Sequence, residues 1–336
     1  MLAYIVRRVL MMVPVILGVF LLSFFLARVI PGNPALMMLG PQAPPSRLHA
    51  LEIQMGLNLP IWDQLWRYVV AVLHGNFGTS IVTGDPVLVD LETRFPATVE
   101  LAVASIVIGL AVAIPLGILS AIHKDSWVDY LGHLISLSGV SMPTFWFGIL
   151  LILAFFTVLR VAPPPLGDLG VAYSPPPAVT HIVVLDALIA GQWPVFWSAL
   201  NQLILPAITL STGTIAIMVR MIRSSMLEVM EQDYVRTAHA KGVPPTRIYL
   251  VHVLKNALVP LITVFGLQLG YLLGGAVLVE TVFSWPGVGS YVSNAILAND
   301  YAPVETFALL SAIFYSVINL LVDVLNAAVD PRITYE

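Results

Sequence analysis

Residues 221–260 read MIRSSMLEVMEQDYVRTAHAKGVPPTRIYLVHVLKNALVP, a charged stretch in an otherwise apolar chain. With Arg220 it holds six of the fifteen basic residues of the chain: Arg220, Arg223, Arg236, Lys241, Arg247 and Lys255. The pattern predicts two short helices broken at residues 241–245. Gly242 allows a left-handed turn at little steric cost, and Pro244 or Pro245 suits the first turn of a new helix. A compact helix-turn-helix of this kind offers a surface that a partner protein can bind.

The composition of the whole chain is that of a membrane protein. Hydrophobic residues make up 58% and charged residues 10%, and the mean hydropathy is +0.91. Soluble globular domains contain about 25% charged residues. The 336 residues can hold roughly six spans of about 20 residues each, with sizeable loops between them. The absence of cysteine excludes disulfides and thiolate metal sites.

Six apolar segments predict an all-α integral membrane protein with six transmembrane helices. Residues 1–30 form a short basic tail and the first helix, whose apolar run 9–29 is longer than that of a cleaved signal peptide and lacks its small-residue cleavage site. The other predicted spans, which with their loops make up a membrane core over 97–329, are 97–121, 131–159, 203–222, 257–279 and 304–329. Pro143 is expected to kink the third span.

Two long connections lie between these spans. Residues 31–96 are polar and rich in proline, and they predict a small subdomain outside the membrane with helices at 46–55 and 62–73. The loop 160–201 contains the apolar piece 182–190, which is too short to span as a helix. This piece is either an interfacial, folded-back helix or is paired with residues 193–200.

The distribution of basic residues predicts the orientation of the chain. The N-terminus, loop 122–130, loop 223–256 with Arg220 and the tail 330–336 share one side and hold ten of the fifteen lysines and arginines. Cytoplasmic loops carry an excess of these residues. Both termini are therefore expected in the cytoplasm, and the more acidic loops outside.

Two features within the spans have more than one interpretation. Gly266, Gly270 and Gly274 lie on one helical face, which lets another helix approach closely, either in ordinary packing or in a dimer seam. Asp323 shares a face with Asn319 in the last span, where it has either a packing or helix-end role or a transport role.

Short motifs along the whole chain resemble those of one known family. In chain order they are Arg7-Arg8, Ile30-Pro31-Gly32-Asn33-Pro34, Ser141-Met142-Pro143 with Phe145-Trp146, Arg223-Ser224-Ser225-Met226-Leu227-Glu228, the segment from Asp233 to Gly242, Phe283-Ser284-Trp285-Pro286-Gly287 and Asp330-Pro331-Arg332. Together they resemble bacterial ABC importer permeases of the dipeptide and oligopeptide class, most closely the first of the two permease subunits of a dipeptide system. One departure is Arg236-Thr237-Ala238, which stands where the broader importer pattern has Glu-Ala-Ala.

The resemblance implies a type I ABC importer permease fold in the bacterial inner membrane. It also implies a set of partners, which are a second homologous permease subunit, two ABC ATPase subunits, a periplasmic substrate-binding protein and membrane lipid, with no nucleic acid. Specificity would rest mainly with the binding protein, which the segments 31–96 and 160–201 could contact.

The chain itself contains no Gly-Lys pair, so it has no phosphate-binding loop and cannot be the ATPase. We expect it to be non-catalytic, without a metal site or cofactor of its own, and we expect ATP and Mg to be bound by the partner subunits. Energy must then arrive by contact, and the resemblance implies that the helix near 235–241 docks in a cleft of the ATPase. The candidate coupling residues are Glu228, Asp233, Tyr234, Arg236, Thr237, Ala238, Lys241, Gly242 and Arg247. A loop that only sets orientation is the alternative.

Polar residues in the later spans are candidates for the translocation pathway or its gate, although each could equally serve packing. They are Ser138, Ser141, Thr209, Thr214, Thr263, Gln268 and Glu280. The leading hypothesis is a permease for di- and oligopeptides. The same fold importing nickel, glutathione or another small solute is the nearest alternative. An ion-coupled secondary carrier and a membrane scaffold without a pathway are more distant ones.

Overall fold

The computed structural model describes residues 2–29 and 33–329, and nearly all of its ordered structure is helical. Its α-helices are α1 (Leu2–Val29), α2 (Pro34–Leu39), α3 (Pro45–Met55), α4 (Ile61–Leu73), α5 (Val87–Ile122), α6 (Trp127–Ser141), α7 (Thr144–Leu151), α8 (Val183–Ile189), α9 (Trp193–Met230), α10 (Asp233–Ala240), α11 (Pro245–Arg247), α12 (Leu254–Phe283), α13 (Val288–Leu297) and α14 (Tyr301–Val329). Two π-helical segments, Ile152–Val158 and Ile248–Val253, follow α7 and α11. The predicted tail 330–336 and the motif residues 30–32 lie outside the described residues.

Four helices in the described part of the chain are long and apolar enough to cross a membrane. They contain the segments Val6–Arg28, Val87–Ile122, Trp193–Met230 and Tyr301–Leu325. Two bent pairs of helical segments, one of them formed by α6 and α7, raise the number of spans to as many as six. The all-α membrane fold is confirmed, while the count of exactly six spans stays a prediction.

The long helix α9 lies at the centre of the bundle. Within its most apolar window 67% of the residues are buried, compared with 17% in α1 and in α14. Helices α5, α6, α7, α8 and α12 all contact it. These contacts are close because glycines face α9: a Cβ at Gly117 of α5 would lie 2.8 Å from the Cβ of Ile222, and a Cβ at Gly139 of α6 would lie 2.8 Å from that of Ala216.

Helices α1 and α14 pair at the periphery in antiparallel fashion, with an ion pair at each end. Arg8 Nη1 lies 3.1 Å from Asp323 Oδ2, and Arg28 pairs with Glu305. We call the end of the bundle with Arg8, Asp323 and α10 the inner end, and the end with Arg28 and Glu305 the outer end. The ion pair with Arg8 supports the helix-end role for Asp323.

The glycine face of α12 is used within the chain. A side chain at Gly266 would collide with Val322, and one at Gly270 with Tyr315, both on α14. Ordinary helix packing therefore accounts for these two positions, and no dimer seam is needed there.

Several predicted helix ends are wrong. Helix α5 begins at Val87, inside the segment assigned to the outer subdomain, and continues through Pro96 and Pro115. Helix α9 extends from Trp193 to Met230, so it includes residues assigned to the loops on both sides. It continues past 222 because Ser225 and Met226 are buried in the bundle. Helices α3 and α4 agree with the predictions at 46–55 and 62–73.

The apolar piece at 182–190 forms the separate short helix α8. A turn at Gly191, with φ of 66°, separates it from α9, so α8 and residues 193–200 do not form one continuous helix. The third span is also discontinuous, because Pro143 separates α6 and α7 by a bend of 108° rather than a mild kink.

The close contact at Gly117 gives a test of this packing. We expect Gly117→Ala to lower the free energy of unfolding by about 1–3 kcal/mol, since the added methyl overpacks the contact with Ile222. Thermal unfolding of the purified protein in detergent measures the effect. Gly18→Ala is the matched control, because nothing lies within 4 Å of a Cβ there. Adding Ile222→Ala to Gly117→Ala should restore part of the loss, and equal unfolding temperatures for the two single variants would contradict this packing.

Candidate coupling surface and translocation pathway

Helix α10 is held at the inner end by one apolar face. Val235 is 2% exposed, and with the half-buried Ala238 it belongs to an apolar cluster that joins the ends of three long helices. In this inner cluster α5 contributes Ile118, α9 contributes Met226 and α12 contributes Ala257. The helix is therefore attached to the bundle along one side and open on the other.

The turn after α10 has the conformation that the sequence predicts. Gly242 has φ of 73°, and its N–H donates to the carbonyl of His239 at 3.0 Å. Pro244 then precedes the first residue of α11, Pro245. The prediction of a second separate short helix is wrong, because α11 continues through the π-helical segment Ile248–Val253 into α12. Helix α10 is thus connected through α11 and the π-helical segment to the long apolar helix α12.

Tyr234 adds polar contacts between α10 and the start of α12. Its hydroxyl donates to the carbonyl of His252 at 3.3 Å and accepts from Asn256 Nδ2 at 2.8 Å. The ring of His239 meets that of Tyr249 edge to face, with 6.3 Å between the ring centroids. Both contacts attach α10 to the inner end of α12 and to the π-helical segment before it.

The structure leaves all candidate coupling residues except Ala238 exposed, and we call this exposed set the coupling surface. Its exposed members are Glu228, Asp233, Tyr234, Arg236, Thr237, Lys241, Gly242 and Arg247. Glu228 lies in the last turn of α9 rather than in a loop. Arg236 and Asp233 lie 3.7 Å apart, with side chains 75% and 99% exposed. Such an exposed pair contributes little to stability, so both side chains are available to a partner.

A half-buried ion pair at the inner end was missed by sequence reasoning. Arg223 of α9 donates from Nε to Asp129 Oδ1 at 2.6 Å and from Nη2 to Oδ2 at 2.7 Å. Asp129, at the start of α6, also accepts from the N–H of Asp125. The pair ties the inner end of α6 to α9. The available signal was an acidic residue in the first turn of an apolar helix, although its partner lies far away in the sequence.

A cavity of about 750 Å³ opens at the bend between α6 and α7. Gly213 of α9, Gln268 of α12 and Tyr315 of α14 contribute to its walls. Two of the predicted pathway residues, Ser141 and Gln268, line this cavity. Ser138 lines a neighbouring cavity of about 270 Å³, and Thr263 is exposed. Sequence reasoning missed Tyr271 and Tyr315, because aromatic residues in a span usually signal packing.

The other three pathway candidates are buried in the bundle. Thr209 is 0% and Thr214 1% exposed, because both face neighbouring helices. The hydroxyl of Thr209 donates to the carbonyl of Leu205 in its own helix at 2.8 Å. Glu280 is also 0% exposed, and its role at a gate stays a prediction.

Glu280 instead organises the turn at the outer end. It accepts hydrogen bonds from Thr98 Oγ1 at 2.7 Å and from the N–H of Ser290 at 2.9 Å. Gly287 passes so close to this carboxyl group that a side chain there would collide with it. The indole of Trp285 donates to the carbonyl of Ala97 at 2.8 Å. The Ser-Trp-Pro-Gly motif is therefore a folded corner around a buried carboxyl group.

The outer loop before α9 is also ordered by a carboxylate. Asp186 accepts hydrogen bonds from Thr180, both N–H and hydroxyl, and from the N–H groups of Val179 and His181. Burial alone would raise the pKa of Asp186, but these hydrogen bonds stabilise the charged form and bring the pKa below its ordinary value. The loop thus presents a fixed surface at the outer end.

The sequence matches two families over almost its full length. Residues 113–335 match the family described as binding-protein-dependent transport system inner membrane component. Residues 1–102 match the corresponding N-terminal family of membrane components. The bundle, its cavity and its docked inner helix define a membrane transport permease. The chain belongs to the family of inner membrane components of binding-protein-dependent transport systems, and it is a multi-pass membrane protein.

Curated relatives cover the chain from end to end. It is 45% identical to the probable D,D-dipeptide transport system permease protein DdpB of Escherichia coli K12, over 96% of this chain and 94% of the relative. It is 42% identical to the dipeptide transport system permease protein DppB of Alkalihalophilus pseudofirmus, over 100% of both. The glutathione transport system permease protein GsiC of Salmonella paratyphi A is 36% identical, again over 100% of both. The resemblance to dipeptide importer permeases is confirmed.

The ion pair between Arg223 and Asp129 is tested by replacing one partner and then both. We expect Asp129→Ala to lower the free energy of unfolding by about 1–3 kcal/mol, because it leaves the half-buried guanidinium of Arg223 without its partner. The double variant Asp129→Leu with Arg223→Met should recover most of this loss, because no charge is then left buried. Thermal unfolding in detergent measures both. A double variant as unstable as the single one would contradict this account of the pair.

Proposed function

We propose that this chain is one permease subunit of an ATP-driven ABC importer of di- and oligopeptides, with energy delivered to α10 by an ATPase subunit. The observation that carries the proposal is the construction of α10. One face of it is seated in the inner cluster, and its other side carries exposed polar and charged residues. A helix so built can receive a partner and pass its displacement to the bundle.

The transmission follows from the contacts of α10. Val235 is packed with residues of α9 and α12, and these two helices also form walls of the cavity through Gly213 and Gln268. Closing of an ATPase pair would displace α10, and the well-packed inner cluster would carry α9 and α12 along as nearly rigid bodies. The cavity would then change its access from one side of the membrane to the other.

The proposal includes the following partners and orientation. A second homologous permease completes the pathway, and two ABC ATPase subunits bind ATP and Mg and dock at the coupling surface. A periplasmic binding protein delivers the substrate to the outer surface formed by 31–96 and 160–201. Both termini lie in the cytoplasm of the bacterium, on the side where most basic residues are found. This chain supplies no catalytic group.

A peptide substrate is supported by the relatives and by the cavity. The relatives that are 45% and 42% identical to this chain are described as permeases of dipeptide transport systems. None of the described residues that line the cavity has a charged side chain, which suits passage of peptides with varied side chains. The glutathione relative keeps a glutathione or other small-solute importer as the second candidate. The ligand carried by the cognate binding protein separates these two.

The energy source is tested by reconstitution. We expect proteoliposomes with this chain, its partner permease, the two ATPases and the loaded binding protein to take up labelled dialanine only when ATP is enclosed on the ATPase side. Collapse of proton and sodium gradients should leave the uptake unchanged. Uptake that survives without ATP and is lost with the ion gradients would favour a secondary carrier instead.

The coupling surface is tested by one exposed charge. Arg236→Glu should reduce co-purification of the ATPase subunits and the uptake of dipeptide at least about tenfold, because several kcal/mol can be lost when a like charge faces a docked partner. The fold should be unaffected, since the side chain of Arg236 is 75% exposed. Lys124→Glu, at an exposed position of the inner end outside the coupling surface, is the matched control. Normal ATPase binding and uptake by the Arg236→Glu variant would rule out a contact at this residue.

A further inference from the structure

Helix α4 lies beside α1 rather than beyond its end. The ring of Trp62 meets that of Phe25 edge to face, with 5.8 Å between the ring centroids. The ring of Tyr68 stacks on that of Phe20, with 5.0 Å between the centroids. Both phenylalanines belong to the segment Val6–Arg28 of α1, which is long and apolar enough to cross a membrane. Helix α4 therefore packs against the part of α1 that crosses the membrane.

These contacts also give the depth of α4 in the membrane. The crossing segment of α1 has 23 residues, so it is about 35 Å long, compared with about 30 Å for the hydrocarbon core of a bilayer. Phe20 lies about 12 Å along the helix axis from Arg28, the last residue of the segment. At that end, Arg28 donates from Nε to Gln64 Oε1 of α4 at 3.1 Å. Helix α4 thus lies at the level where headgroups meet acyl chains, in the leaflet at the outer end.

Helix α4 has three different sides. The side toward α1 carries the aromatic contacts described above. The second side is apolar and exposed: Trp62 and Trp66 are each 68% exposed and Leu73 is 79% exposed, and their spacing of four and seven residues keeps them on one helical face. The third side carries Asp63 and Arg67, which are both exposed. This distribution is typical of a helix that lies in the plane of a membrane surface.

Lipid is the partner that fits the apolar side of α4. Tryptophan is enriched where a membrane meets water, because its ring is apolar and its N–H is polar. On α1, the exposed Leu22 and Leu26 lie beside Phe25, and only 17% of the most apolar window of this helix is buried. The apolar side of α4 continues this exposed strip through the contact between Trp62 and Phe25. The hydrocarbon that surrounds α1 therefore also reaches α4.

We propose that α4 is an interfacial helix that binds the lipid of the leaflet at the outer end through Trp62, Trp66 and Leu73. Asp63 and Arg67 on its polar side face the headgroups and the water. Segment 31–96 is then not wholly outside the membrane, and only its remaining part is open to a binding protein. The proposal does not depend on the substrate or on the energy source of the transporter.

The test uses the full chain with its partner subunits in liposomes of phosphatidylethanolamine and phosphatidylglycerol. Because the chain contains no cysteine, a single introduced cysteine takes a spin label at one known position. The readout is the ratio of two collision rates of the label, with oxygen, which concentrates in hydrocarbon, and with a water-soluble nickel chelate. We expect this ratio to be at least about fivefold higher for Trp66→Cys than for Arg67→Cys, because hydrocarbon excludes the polar chelate.

Three further single-cysteine variants complete the comparison, all at exposed positions where a label can be accommodated. Leu73→Cys keeps both tryptophans of the apolar side, and we expect its ratio to agree with that of Trp66→Cys. Leu22→Cys, in the membrane-crossing segment of α1, is the reference for lipid. Arg47→Cys, in α3, is the reference for water.

Each outcome decides the question. Ratios near the lipid reference for both apolar positions, with a ratio near the water reference for Arg67→Cys, support the interfacial helix. Ratios near the water reference for Trp66→Cys and Leu73→Cys overturn it, because α4 then lies outside the membrane. Slow collisions with both reagents also overturn it, because a protein such as the second permease then covers this side. If the slow collisions appear only after the binding protein is added, the apolar side is a docking surface for that protein and not for lipid.

Discussion

The close approach of helices to α9 is the constraint on which the rest of the structure depends. Because α9 is mostly buried, its neighbours must pack without long side chains in between. Glycines meet this requirement at Gly109 and Gly117 of α5, at Gly139 of α6 and at Gly148 of α7. In an apolar solvent, helices gain stability from such close packing rather than from hydrophobic burial. The centre of the bundle is therefore specified by the absence of side chains as much as by their presence.

Helix α9 also connects the inner end of the bundle to the cavity. Its inner end contributes Met226 to the cluster that holds α10, and its middle contributes Gly213 to the cavity wall. Arg223 lies between these two points and fixes the inner end of α6 through Asp129. Since α6 ends at the bend over the cavity, the proposed displacement of α10 would reach the bend by two routes, along α9 and along α6. Both are helices, which transmit axial displacement with little bending.

Local signals in the sequence were sufficient for elements whose causes are local. The turn at Gly242, the proline start of α11 and the helices α3 and α4 follow from residues within each segment. The start of α5 was misjudged because Pro96, which usually stops a helix, lies inside it. The ends of α9 were misjudged because the helix continues beyond the apolar run 203–222 on both sides. The site was predictable only in part. The buried Glu280 accepts a hydrogen bond from Thr98, and Asp129 forms an ion pair with Arg223. Neither partner lies near the acidic residue in the sequence.

The peripheral helices follow the same logic of coupled packing. Gly266 and Gly270 let α14 lie directly against α12, so that α14 cannot turn about its axis without driving Val322 or Tyr315 into α12. Helix α1 is joined to α14 by an ion pair at each end. The two ion pairs together set the position of α1 along α14, whereas a single pair would let α1 rotate about it. Helices α12, α14 and α1 therefore form one continuous unit. Because α10 is hydrogen-bonded to the start of α12 through Tyr234 and packed against α9, direct contacts connect it to this unit as well as to α9.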